Sequence, residues 1–121
     1  MVKNLAPNVF RQRLLIEGFY TIEISEERLE KYLLSIAAHL NLRTYSKPII
    51  FVPTSGMGKE ENAGYDAFVP LIDSGISAYV WSNAQFFSIV IYTCKGFDEK
   101  AAIELTREYF AVSGEMVSSS F

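Results

Sequence analysis

The chain has 121 residues, half of them hydrophobic and 21% charged, with a formal net charge of −3. That is enough for one domain with a proper core, and it excludes both a disordered chain and a two-domain protein. The mildly acidic balance excludes a surface built to track nucleic-acid phosphates. One cysteine and one histidine exclude an internal disulfide and a His/Cys zinc site within one chain.

In chain order, residues 1–12 read as an irregular lead-in broken by Pro7 and Asn8. No signal-peptide-like apolar stretch follows Lys3, and no run approaches the ~20 apolar residues of a membrane span. A cytoplasmic protein with no membrane or nucleic-acid partner is expected. Residues 13–24 alternate, with Leu14, Ile16, Tyr20, Ile22 and Ile24 on one parity and Glu17, Thr21 and Glu23 on the other. This predicts a strand with one buried face. Ser25 then caps a helix whose first turn carries Glu26 and Glu27 and whose stripe is Leu29, Tyr32, Leu33, Ile36 and Leu40.

His39, near that helix's end, reads as a partly exposed histidine favoured by the macrodipole rather than as a base. Residues 43–52 predict a second strand, placed at an edge or bulge by Pro48. The Gly-containing stretch 53–64 predicts a loop. Within it, Gly56-Met57-Gly58-Lys59-Glu60 lacks the first glycine and the Ser or Thr of a phosphate loop and is rejected as one.

Three short strands follow, over 65–72, 76–82 and 86–94, broken at Asp73-Ser74-Gly75 and at Ser82-Asn83-Ala84-Gln85. A second helix runs from Asp98 as cap to about Val112, and the polar tail 113–121 is expected to fray. The order β-α-β-β-β-β-α gives an α+β two-layer sandwich, a mostly antiparallel sheet covered on one face by two helices, over the single domain 1–121. The strand 86–94 is apolar on both parities: Phe87, Ile89 and Ile91 on one, Phe86, Val90, Tyr92 and Cys94 on the other. A homodimer packed sheet against sheet through the uncovered face is therefore expected.

The segment Asp73 to Cys94 reads DSGISAYVWSNAQFFSIVIYTC. It resembles the short bacterial and archaeal form of the S-adenosylmethionine decarboxylase family. There an E-S-H-[IL]-[ST]-I-H-T-W-P-E pattern precedes an aromatic-rich strand ending in T-C-G. Ser74, Ile76, Ser77, Trp81, Thr93 and Cys94 stand at the matching positions, and the likeness extends over most of 13–112. The resemblance implies a serine that attacks the carbonyl before it, cuts the chain and leaves a pyruvoyl group. That group serves as electron sink for decarboxylation in polyamine biosynthesis. On this likeness Ser74 is the pyruvoyl precursor, Asp73 the residue that loses its amide bond, and Cys94 the proton donor.

The sequence departs from the pattern in places. Asp73 stands for the glutamate and Gly75 for the next histidine. Tyr79 stands for a histidine that assists processing, and Asp66 falls where a second serine assists it. A tyrosine side chain, ordinarily titrating near ~10, is a poor base at neutral pH. Two readings remain open: an enzyme processed by altered means, with Asp66 or Tyr79 as helpers, or an uncleaved ligand- or partner-binding relative. The enzyme's substrate would be S-adenosylmethionine or another amino acid such as arginine or ornithine. A sulfonium and an adenine call for aromatic faces and a carboxylate, for which Glu17, Phe19, Tyr20 and Trp81 are the candidates.

Overall fold

The computed structural model describes residues 3–52 and 63–121. Six strands and two helices follow in chain order: β1 (Gln12–Phe19), α1 (Glu26–His39), β2 (Ile49–Phe51), β3 (Gly64–Leu71), β4 (Ser74–Trp81), β5 (Phe86–Thr93), α2 (Glu99–Tyr109) and β6 (Met116–Ser120). The strands form one sheet in the order β2-β3-β4-β5-β1-β6, antiparallel at every pairing.

The period-2 patterning places Leu14, Ile16, Ala67, Val69, Leu71, Ile76, Ala78, Val80, Phe87, Ile89 and Ile91 on one face, where all are buried. Both helices lie against that face. Ser25 caps α1 by accepting from the Arg28 N–H at 3.1 Å, and Asp98 caps α2 by accepting from the Ala101 N–H at 3.1 Å. The α1 stripe of Leu29, Tyr32, Leu33 and Ile36 is fully buried. Phe110, the α2 cap residue, stacks on Phe87 with centroids 4.4 Å apart. Between the helices the Tyr32 hydroxyl meets Thr106 Oγ1 at 2.8 Å, and burial raises the Tyr32 pKa well above its ordinary value.

Several expectations change. The first strand ends at Phe19 rather than residue 24. Beyond it the backbone turns away to bond Gln85 and Phe110, while Ile22 and Ile24 still pack on the core. The second strand contracts to Ile49–Phe51, with a single bridge from Thr44 to Leu71 on the far side of Pro48. The phosphate-loop look-alike and nearly all of the expected loop lie outside the described residues.

The tail is the largest correction. It forms β6, pairing along β1 from Met116 opposite Gly18 to Ser120 opposite Leu14. A serine-rich segment gives no apolar alternation, yet β1 has a free edge and backbone groups pair whatever the side chains. Ser120 Oγ adds bonds to the Glu99 carboxylate at 2.7 and 2.8 Å.

Candidate functional site

The turn between β3 and β4 is tighter than the sequence implied. Leu71 pairs with Ser74, so Ile72 and Asp73 alone make the turn, and Ser74 and Gly75 belong to β4. Ser74 pays no glycine-like entropy here but carries backbone strain: its φ is +132°, a region L-residues rarely adopt. Gly75 has a packing reason, because a Cβ there would meet the Phe68 ring at 2.4 Å.

Ser74 lies opposite Thr93 on β5, which brings Cys94 beside the Asp73–Ser74 bond. The Asp73 carbonyl accepts from the Cys94 backbone N–H at 2.9 Å and from the Cys94 thiol at 3.4 Å. Both donors polarise the carbonyl that a Ser74 hydroxyl would attack. Cys94 is exposed, whereas Ser74 is half-buried. Among the described residues no hydrogen bond engages the Ser74 hydroxyl.

Three further side chains, of which only Thr93 stood in the sequence motif, brace the segment that follows β5. Gln12 donates through Nε2 to the Phe97 carbonyl at 2.9 Å and accepts from the Phe97 N–H at 3.1 Å. Thr93 Oγ1 donates to the Lys95 carbonyl at 2.5 Å. Lys95 Nζ reaches the Asn41 carbonyl at 3.0 Å. For Gln12 the only sequence signal was position: it opens the strand that pairs with the one ending before Cys94.

The structure does not bring the other candidates to this bond within one chain. Asp66 and Tyr79 are cross-strand partners on β3 and β4, on the face away from the helices. Five residues of extended strand, about 17 Å, separate Tyr79 from Ser74. They line a shallow hollow of about 260 Å³ with Ile49, Phe51, Phe68 and Ser77.

Glu17, Phe19, Tyr20 and Trp81 lie toward the opposite end of the sheet. Phe86 packs between Phe19 and Trp81, at centroid distances of 5.3 and 5.4 Å. Glu17 accepts from the nearly buried Ser88 hydroxyl at 2.7 Å. Tyr20 is buried on the helix side, donates to the Trp81 carbonyl at 3.3 Å, and has its pKa raised by desolvation and by Tyr65. His39 is exposed on the far rim of α1, in a hollow with Lys95 and Asp98. Among the described residues no cluster of His, Cys, Asp and Glu could hold a metal, and no helix is long and apolar enough to cross a membrane.

A scan against protein families matches residues 20–119 to S-adenosylmethionine decarboxylase. The chain belongs to that family. Its structure is similar to the crystal structure of the adenosylmethionine decarboxylase from Aquifex aeolicus VF5, with a TM-score of 0.71 and 17% identity over 93% of this chain and 89% of that one. At that identity the likeness speaks for the fold. A search of the curated proteins found no match. The family's enzymes are pyruvoyl-dependent decarboxylases, so the residues around Ser74 are the ones to weigh against that chemistry.

Proposed function

We propose that this chain is a self-processing, pyruvoyl-type decarboxylase acting on S-adenosylmethionine, with the Asp73–Ser74 bond as its processing site. The observation that carries the reading is the Asp73 carbonyl, held by both the N–H and the thiol of Cys94. Attack by Ser74 Oγ forms a C–O bond to Asp73 and breaks the C–N bond, with the hydroxyl proton passing to the nitrogen. The two Cys94 donors stabilise the oxyanion on the way. Relief of the Ser74 strain favours the same step. Removal of the Ser74 α-proton then expels the Asp73 carboxylate, and water releases ammonia from the residue left behind.

The surroundings fit the group this sequence would generate. Once formed, a pyruvoyl carbonyl supplies an electron sink for loss of CO₂. The Cys94 thiol is at hand to hold and deliver a proton there.

A homodimer completes the reading. The face away from the helices carries exposed Phe19, Ile49, Phe51, Phe68, Tyr79, Tyr92 and Val117, with Arg13, Glu17 and Asp66 as its strand charges. That much exposed apolar side chain on one face favours burial against another copy. Asp66 and Tyr79 sit too far along the sheet to help their own Ser74, and a twofold partner facing this sheet is the route by which they, Phe19 and Trp81 reach the other copy's bond. The sulfonium and adenine of S-adenosylmethionine match an aromatic cluster with a nearby carboxylate better than arginine or ornithine does.

Intact mass under denaturing conditions tests the proposal. Fragments of 73 and 48 residues, the second blocked at its N-terminus, support it. A single uncleaved species after prolonged incubation overturns it in favour of the uncleaved ligand- or partner-binding relative, which the replacement of the helper histidine by Tyr79 favours.

A further inference from the structure

The lead-in before β1 folds back to make a cavity of about 190 Å³ lined by Lys3, Asn4, Pro7, Phe10, Arg11 and Arg13. Three of these side chains are cationic and none is acidic, in a chain whose overall charge is −3. Among the described residues the one ion pair is Lys31 with Glu27, on α1, so no carboxylate lies within ion-pairing distance of the three.

The two arginines are held in place by neutral groups. Arg11 Nη2 donates to Asn4 Oδ1 and to the Ala6 carbonyl at 3.3 Å, and Asn4 Oδ1 also accepts from the Ala6 N–H at 3.0 Å. The Arg13 guanidinium lies over the Phe121 ring, 5.3 Å from its centroid. Its Nε is shut from solvent and meets no acceptor among the described residues. A buried donor without a partner is uncommon in a folded protein, and a stacked guanidinium keeps its planar fork in a fixed orientation.

We infer that this cavity is a binding site for a tetrahedral, phosphate-type oxyanion. Three positive charges without an ion-pair partner suit a doubly charged anion better than a single carboxylate, and the arginine forks match phosphate oxygens in paired hydrogen bonds. The cavity has room for about six waters at about 30 Å³ each, which is ample for such an ion with part of its hydration. The site borders the processing bond: Arg13 lies opposite Tyr92, and Tyr92 opposite Gly75, so two strand spacings, about 10 Å, separate Arg13 from the start of β4. The inference does not depend on whether Ser74 is processed.

The test is an NMR titration of the full chain with inorganic phosphate, AMP and acetate at ionic strength held constant with sodium chloride. It reads the amides of Arg11, Arg13 and Tyr92 and the Arg13 Nε–H. Saturable shifts with phosphate at millimolar concentration are expected, with acetate binding at least about tenfold more weakly. Tighter binding of AMP assigns the phosphate to a nucleotide; equal or weaker binding assigns it to the free ion; both support the site. Arg13→Gln weakens phosphate binding about tenfold or more, and Lys3→Gln, remote from the core, does so in a chain whose fold is undisturbed. No saturable shift in the wild type, or equal phosphate affinity in the wild type and Lys3→Gln and Arg13→Gln variants, overturns the inference.

Discussion

The two ends of the sheet differ in kind. At one end, Asp73, Ser74 and Cys94 are gathered by a two-residue turn and a cross-strand pairing, with strain at Ser74 and two donors on one carbonyl. At the other, Phe19, Trp81 and Phe86 form an aromatic cluster near Glu17, with no nucleophile among them. Seven residues of β4, about 23 Å of extended chain, separate Ser74 from Trp81. One protomer therefore holds Ser74 and the aromatic cluster apart. The lesson is that residues adjacent in a family motif need not act on one another in one chain.

The largest expected effect is at the first end. On the proposed processing, Ser74→Ala abolishes chain cleavage, with a single intact mass expected where the wild type would give two fragments. Cys94→Ala separates the two roles of that residue, because its backbone N–H remains on the Asp73 carbonyl. On the proposed function, cleavage persists at a reduced rate, while decarboxylation falls roughly 10²-fold or more, since the proposed proton donor is gone. Equal loss in both assays would show that the thiol serves only the processing step.

The separation of the ends is tested most directly at the proposed interface between copies. Phe68→Glu puts a charge on the open face and, on the proposed dimer, weakens self-association by about tenfold or more in sedimentation. If the ends work across a dimer, cleavage falls with it at low protein concentration. Trp81→Ala, at the aromatic end, raises KM for an adenosyl substrate by about tenfold with little change in kcat, the size of a desolvated cation–π contact.

The smallest effect lies on the covered face and serves as a control. Tyr32→Phe leaves Thr106 Oγ1 without its partner and costs about 1–2 kcal/mol in urea unfolding. Because burial raises the pKa of Tyr32 in the folded state, its contribution is full below the ordinary tyrosine value of 10.0 and is lost as the pH rises above it, when only the unfolded chain ionises. Stability of the wild type therefore falls on the alkaline side, and the fall is shallower in Tyr32→Phe. Cleavage at Ser74 is unaffected.

The sequence by itself determined the elements whose side chains repeat with a clear period. The α1 stripe, both helix caps and the inward Leu14 and Ile16 of β1 are where patterning put them, because apolar burial is written residue by residue. The sequence also singled out Ser74 and Cys94 together, and the fold makes them neighbours. Tertiary structure alone decided the rest. The tail became β6 because β1 offered unpaired backbone, which no side-chain pattern encodes. Register moved Ser74 out of the turn and into a strained strand position, since one residue of shift changes which atoms face the bond. Lys3 and Arg11 fell in an irregular lead-in and Arg13 at the start of a strand, and they came to line one cavity only in the folded chain, while Asp66 and Tyr79 were parted from Ser74 by the simple length of a straight strand.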